Sequence, residues 1–390
     1  MHIVYREKRS LEESETPIDL QQSPAEIIVL SFSDSDLNAF SEGWKRAYKQ
    51  SGGEFPGLRL ANLQTLKHPL SVDTYIEKTL SKSKAIIIRL IGGVPYWEYG
   101  LNQVKEVSKK NNIVLAVLPA DGRADQRLSD YSNIPESTLK RLNNFCNTGG
   151  SIATHAALAQ IALTAGIFSS TVNGEKFIPT YGYWSPKKGI YSEIDDKKYK
   201  KKPLVLVTFY RSFITASDLD PIKAIINSLE TNGLSVVSSF LPSLKEPKSS
   251  KWIKEEIQNL QPSAIINATS FSGKGSDGSS PLDFGNVPVF QISLSTNKKK
   301  SWKNENRGLS PTDMVMHVAL HEIDGRLFAG VASFKEKSKE NNKLEFFPIK
   351  HTADKERIQA IVEKVIGWIK LNKIKNENKK IAFILSTYPG

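Results

Sequence analysis

The sequence predicts an α/β protein made of two doubly wound, largely parallel-sheet domains with flavodoxin or Rossmann-like layers in tandem, and the start of a further domain at the C-terminus. Three observations predict it. The run at 85–91, interrupted only by Arg89, and the run at 113–118 are apolar, as strands buried on both faces must be. Each such run is followed by a segment whose apolar residues recur at helical spacing. The alternation halts in a lysine-rich stretch ending at Pro203, then begins again.

In chain order, 26–32 reads as a short apolar strand, 36–50 as a helix, 58–63 as a weaker strand and 73–81 as a helix. Strand 85–91, helix 96–109 and strand 113–118 continue the pattern. Helices at 136–146 and 152–165 lead to an aromatic, proline-containing loop at 177–186. The second unit begins with strand 204–210, helix 218–232, strand 234–240, helix 250–260 and strand 264–268, an order of flavodoxin type. A glycine-serine loop at 272–280 precedes strand 287–294, a helix from Pro311, and strand 327–334. Helix 355–370 and an apolar strand at 380–386 come last. The expected units are an N-terminal α/β domain over 1–190, a second over 203–350, and a helix and strand at 355–390 that open another body.

With 390 residues and 39% hydrophobic content, the chain can fill more than one core. A single cysteine, Cys146, excludes an internal disulfide framework and fits a reducing compartment. The charged stretch at 1–22 lacks the apolar run of an export signal, and no apolar window is long enough to span a bilayer. A cytoplasmic location is the expectation. The net charge of +12 is spread over linkers and helix faces, without the clustered pattern of a nucleic-acid reader, and suits an anionic small molecule. No G-x-x-x-x-G-K-[ST] loop or G-x-S-x-G elbow occurs, so P-loop ATP binding and serine hydrolysis are not expected.

The segment from Gly308 to Arg326 concentrates the chemistry. Ser310 can cap a helix with Pro311 in its first turn, and Asp313 can complete a capping box. Met314, Val315, Val318 and Ala319 are spaced to bury one face, delivering His321, Glu322 and Asp324 near the far end. His317 and His321 stand four apart, a spacing zinc sites use, but the H-E-x-x-H order is missing. Three other loops follow buried strands. In 89–101, Gly92 and Gly93 permit close backbone approach, and Tyr96, Trp97 and Tyr99 serve either as core anchors or as faces for a planar ligand. In 118–128, Asp121 and Asp125 with Arg123 and Arg127 could hold a metal or pair with each other. After Phe209 and Tyr210, Arg211 grips an anion or ties down a loop.

Taken together, these segments resemble the large subunit of the CobN-type aerobic cobaltochelatase, within a family shared with the magnesium chelatase large subunit. The likeness is carried by Arg-Leu-Ile-Gly-Gly at 89–93, Tyr-Trp-x-Tyr-Gly at 96–100, Phe-Tyr-Arg-Ser at 209–212, Pro-Val-Phe-Gln at 288–291, Arg-Gly-Leu-Ser at 307–310, Glu-x-Asp-Gly-Arg at 322–326 and Tyr-Pro-Gly at 388–390. The resemblance implies an amino-terminal part of a tetrapyrrole-binding subunit that inserts Co(II), the substrate ion, into hydrogenobyrinic acid a,c-diamide in cobalamin biosynthesis. It implies AAA-type partner subunits that use ATP and Mg. On its pattern Glu322, Asp324 and His317 are the expected catalytic groups, and Glu322, His317 and Asp121 the expected metal contacts. Arg89, Gly92, Gly93, Tyr96, Trp97, Tyr210, Arg211, Gln291 and Arg326 are the expected tetrapyrrole contacts. Family members usually carry proline where His321 stands, so His321 is not implied as a ligand. A fragment that binds a tetrapyrrole or metal without turnover, and a magnesium chelatase relative, are the alternatives.

Overall fold

The computed structural model describes residues 16–120, 125–169, 172, 178–194, 202–275, 278–306, 308–338 and 341–385. In the first lobe, β1 (Ile27–Ser31), β2 (Leu58–Asn62), β3 (Ala85–Leu90) and β4 (Val114–Pro119) are parallel and lie in the order β2-β1-β3-β4. Every side chain of β1 and β3 is buried, because helices cover both faces of the sheet. These helices are α1 (Asp34–Gln50), α2 (Pro69–Lys78), α3 (Glu98–Lys110), the short α4 (Gln126–Ser129), α5 (Glu136–Thr148) and α6 (Gly150–Thr164). Phe40 and Trp44 of α1 and Leu158 and Ile161 of α6 share one core with Val29 and Ile87. Val72 of α2 and Val104 of α3 share the opposite one with Ile28 and Ile86.

The second lobe has a sheet of eight described strands: β5 (Gly182–Ser185), β6 (Gly189–Tyr191), β7 (Leu204–Tyr210), β8 (Ser235–Leu241), β9 (Ala264–Asn267), β10 (Val289–Ser295), β11 (Leu327–Lys337) and β12 (Ile349–Ala353). Their order is β12-β11-β10-β9-β7-β8-β5-β6. The central five are parallel in the flavodoxin order, whereas β12, β5 and β6 are antiparallel additions. The helices here are α7 (Arg211–Thr215), α8 (Asp220–Thr231), α9 (Pro247–Leu260), α10 (Lys299–Asn304), α11 (311–323) and α12 (Lys355–Lys373).

Several segments depart from the sequence expectation, the unexpected strand β12 among them. Part of the aromatic loop forms the β5–β6 hairpin, because Tyr183 and Trp184 bury against the sheet and Tyr183 stacks on Tyr191 at 5.6 Å. Helix α12 joins the core of the second sheet through Ile358, Ile361, Val362 and Val365. The strand expected at 380–386 does not form over its described part, 380–385, where Phe383 and Leu385 are 87% and 94% exposed. An apolar run becomes a strand only against a neighbouring edge, and this one pairs with no strand among the described residues.

The lobes are joined at α1. Asn38 of α1 donates to the Ile349 carbonyl at 2.6 Å, and Lys350 pairs with Glu42 at 3.1 Å. The connection between β11 and β12 reaches back to the first lobe, where Leu344 is fully buried in its core and Glu345 pairs with Arg59 at 2.8 Å. Within the first lobe α1 lies so close to α6 that a Cβ on Gly43 would stand 2.3 Å from Thr154 Oγ1 and 2.7 Å from the His155 nitrogen. Thr154 Oγ1 also donates to the Ala39 carbonyl at 2.8 Å. Gly43→Val should therefore force the two helices apart and cost about 1–3 kcal/mol. Equilibrium urea unfolding checks this, and an unchanged midpoint contradicts the close packing.

Candidate functional site

In open parallel sheets a crevice forms where the strand order reverses, outside the carboxyl ends of the strands. Here the reversals lie between β1 and β3 in one sheet and between β7 and β9 in the other. Both open onto the same space. It comprises a cleft of about 720 Å³ and an inner chamber of about 80 Å³ that share Ser35, Tyr210 and Ser212 as walls.

Arg89, from the end of β3, is buried in the cleft wall and pairs with Asp36 at 2.8 Å. Burial is the largest influence and opposes its charge, but Asp36 and Cys146 together offset it and raise the guanidinium pKa. Its Nη2 also donates to Asn147 Oδ1 at 3.2 Å. Gly92 has φ +84°, and a side chain there would meet the Tyr96 ring at 2.4 Å, so only glycine fits this turn. Arg211 donates to the Pro179 and Ile178 carbonyls at 2.9 Å each, so it ties down a loop while lining the cleft. Burial pushes its pKa down. Cys146 also lines the cleft, but burial pushes its thiol up to about 11, which makes it a poor nucleophile.

The chamber combines apolar walls such as Phe213 and Leu294 with polar groups, most of them buried. Ser33 caps α1 at the end of β1 and is followed by Asp34, whose pKa burial raises against the opposing effect of Lys335 at 3.9 Å. Asp218 accepts from the backbone nitrogen of His351 at 2.9 Å and from its Nδ1 at 2.8 Å. His317 Nε2 meets Ser270 Oγ at 2.9 Å. The Tyr210 hydroxyl donates to the Ser270 carbonyl, and burial raises its pKa to about 12.

Helix α11 is turned the other way from the sequence expectation. Met314 and Val315 are exposed, whereas Asp313, His317 and His321 face inward. Polar bonding accounts for the reversal. Asp313 accepts from Ser295 Oγ at 2.7 Å and from the Thr296 nitrogen and Oγ1 at 2.9 Å each, at the end of β10. Ser310 caps the helix by accepting from the Asp313 nitrogen at 3.1 Å, but the Asp313 carboxylate does not return to complete a capping box. Residues 315–319 form a π turn, a widening often found at functional sites.

Of the residues singled out from the sequence, Arg89, Gly92, Tyr210 and Arg211 line the cleft and His317 lines the chamber. The others lie elsewhere. Trp97 is a core side chain whose Nε1 donates to the Leu66 carbonyl at 2.8 Å, Tyr96 is 65% exposed, and Gly93 lies nearest Asp125. Gln291 is fully buried, accepting from Asn267 at 2.8 Å and donating to the Thr269 carbonyl at 2.9 Å. Asp324 and Arg326 border a separate cavity of about 520 Å³. There Asp324 holds Ser272 and Gly273 at 2.7 Å each, and Arg326 pairs with Asp283 at 2.5 Å. Glu322 is exposed and lines neither the cleft nor the chamber. Asp121 and Arg123 lie outside the described residues, while Asp125 caps α4 and pairs with Arg127 at 3.4 Å. Among the described residues no group of three or more His, Cys, Asp or Glu side chains could hold a metal ion, so the expected Glu322 and His317 contacts do not assemble into one. Sequence reasoning passed over Asp34, Asp218, Lys335 and His351. The Ser-Asp-Ser-Asp run immediately after β1 was the one available signal.

The fold and the cleft define a two-lobed α/β subunit with a crevice between its sheets. The chain belongs to the CobN/Magnesium Chelatase family, whose model matches residues 143–390. It is 29% identical to the aerobic cobaltochelatase subunit CobN of Sinorhizobium sp. over 404 aligned residues, covering all of this chain and 31% of that protein. It is 28% identical to the CobN subunit of Pseudomonas aeruginosa, covering 95% of this chain and 30% of that one. The chain thus spans about a third of the length of these relatives. The chloroplastic magnesium-chelatase subunit ChlH of Oryza sativa is 24% identical over 216 residues, 52% of this chain and 15% of that protein. The fold matches the catalytic subunit of cobaltochelatase from Mycobacterium tuberculosis with a TM-score of 0.65 at 22% identity, over 89% of this chain and 27% of that one. No described helix is long and apolar enough to cross a membrane.

His321 provides a pH test of the inward face of α11. Burial pushes its pKa down to about 4. As pH falls, the unfolded chain takes this proton first, near 6.5. The stability loss therefore begins below about pH 6.5 and is complete near pH 4, amounting to roughly 3 kcal/mol. His321→Leu should flatten the pH dependence of denaturant-induced unfolding over that window. Parallel curves for the two proteins would mean that the ring is solvated.

Proposed function

We propose that the cleft binds a tetrapyrrole, as the amino-terminal part of the large subunit of an ATP-dependent cobaltochelatase. In this reading the complete assembly inserts Co(II) into hydrogenobyrinic acid a,c-diamide on the route to cobalamin, in the cytoplasm. AAA-type partner subunits hydrolyse ATP with Mg in this reading. The observation that carries the reading is the convergence of two sheet switch points on one cleft. Its volume falls within the range of small-molecule sites, and two arginines stand in its walls. Cobalt is favoured over magnesium because the CobN likeness runs along 95–100% of the chain and the ChlH likeness along about half.

Metal insertion requires the ion to lose water and two pyrrolic protons to leave, so a proton acceptor must sit near the ring. Of the three groups put forward on the family pattern, His317 lines the inner chamber beside the cleft, while Asp324 is occupied by the loop it holds. Glu322 lies outside, and serves this reaction only where another segment covers its face.

Titration of the chain with a free-base porphyrin, followed by the intense absorption band of the macrocycle, tests the proposal. Ser212→Trp fills the wall shared by cleft and chamber and should weaken binding at least tenfold, about 1.4 kcal/mol. Glu322→Ala should leave affinity within about twofold. Equal affinity for wild type and Ser212→Trp would remove the cleft from the proposal.

A further inference from the structure

We propose that the inner chamber is a neutral-arm subsite, which takes one uncharged carboxamide from the rim of a tetrapyrrole whose ring lies in the adjoining cleft. The inference rests on the tetrapyrrole reading above, and deepens it by naming the kind of arm that enters.

Size sets the first limit. About 80 Å³ accommodates a few water-sized groups, the scale of one short arm and far below that of a macrocycle. Ser35, Tyr210 and Ser212 belong to both spaces, so an arm can enter while its ring stays outside.

Charge sets the second. The walls already hold two acids and a base, all buried: Asp34, Asp218 and Lys335. Lys335 stands 3.9 Å from Asp34. A carboxylate arm would bring a third acid beside two that are shut off from water, and burial already disfavours the charge on Asp34. An ammonium arm would meet Lys335. Either ion would also have to shed its water to enter, whereas a neutral polar arm meets neither repulsion and sheds less.

Hydrogen bonding sets the third. Several polar walls have internal partners: Tyr210 and Ser270 bond each other or His317, and Thr296 bonds Asp313. His351 is different. Asp218 holds its Nδ1 at 2.8 Å and Phe213 packs edge-on against the ring at 5.5 Å, which fixes its orientation. Its Nε2 is buried and has no hydrogen-bond partner among the described residues. In the neutral ring the one hydrogen sits on Nδ1, toward Asp218, so Nε2 is an acceptor that lacks a donor. A buried polar atom without a partner is costly, and an entering group that bonds it recovers that cost. The N–H of a carboxamide supplies the missing donor, while the hydroxyls of Ser35 and Ser212, in the same walls, can donate to its carbonyl. An ester has the carbonyl but no hydrogen to give.

The test follows by fluorescence the titration of the chain with three porphyrins that share one ring: deuteroporphyrin IX, a diacid, its dimethyl ester and its primary diamide. The diamide should bind wild type about tenfold more tightly than either of the others. His351→Leu removes the acceptor and should bring diamide affinity within about twofold of the ester's. Asp34→Asn keeps the shape of the wall while removing an acid, and should tighten diacid binding about fivefold relative to the diamide. This second variant carries the test where His351→Leu misfolds. Equal binding of the three to wild type, an amide preference that survives His351→Leu, or an unchanged diacid-to-diamide ratio in Asp34→Asn overturns the neutral-arm subsite while leaving the tetrapyrrole reading intact. Binding of none of the three overturns both.

Discussion

The contact between α1 and α6 at Gly43 is the constraint on which the site depends. Helix α1 starts at the carboxyl end of β1, so its first turn places Asp36 in the cleft and Ser33 and Asp34 in the inner chamber. Its middle is locked against α6 at a separation that no side chain on residue 43 would allow. Its outer face carries Asn38 and Glu42, which bond the second lobe. One helix thus sets the height of the first sheet's crevice, the position of its acidic groups, and the placement of the opposite wall.

The site also depends on two sheets whose strand orders reverse at facing positions. A single doubly wound sheet would offer one shallow crevice. Two of them turned toward each other enclose a volume, and each supplies different chemistry. The first contributes Asp34 and the Arg89–Asp36 pair. The second contributes the histidines, Lys335 and the Tyr210–Ser270 contact. The polar groups reach this volume from loops and strand ends, where backbone geometry rather than apolar packing decides direction.

The architecture was readable where burial is uniform. β1, β3, β7 and the strands beside them are apolar on both faces, and such runs have few other uses in a helix-alternating chain. Edge elements were harder. β12 carries Lys350 and His351, and the β5–β6 hairpin is short and aromatic, so neither shows a strand-like apolar period. The site was readable in its loops, at Arg89, Gly92, Tyr210 and Arg211, because those follow buried strands directly. It was misread on α11. Apolar periodicity pointed Met314 and Val315 inward, whereas hydrogen bonds from Ser295 and Thr296 to Asp313 draw the opposite face in. Polar pairing across distant segments leaves no period in a single sequence, and for the same reason Asp218 and His351, 133 residues apart, could not be matched beforehand.

The strand-to-strand connection bearing Leu344 and Glu345 has a consequence for how a ligand arrives. It returns from the second lobe and seats an aliphatic side chain in the heart of the first, beside a buried arginine pairing. A molecule pinned at both α1 and this return does not open like a clam. Whatever fits must come to a mould already cast, so little ordering is spent on capture and discrimination falls to outline and rim charge.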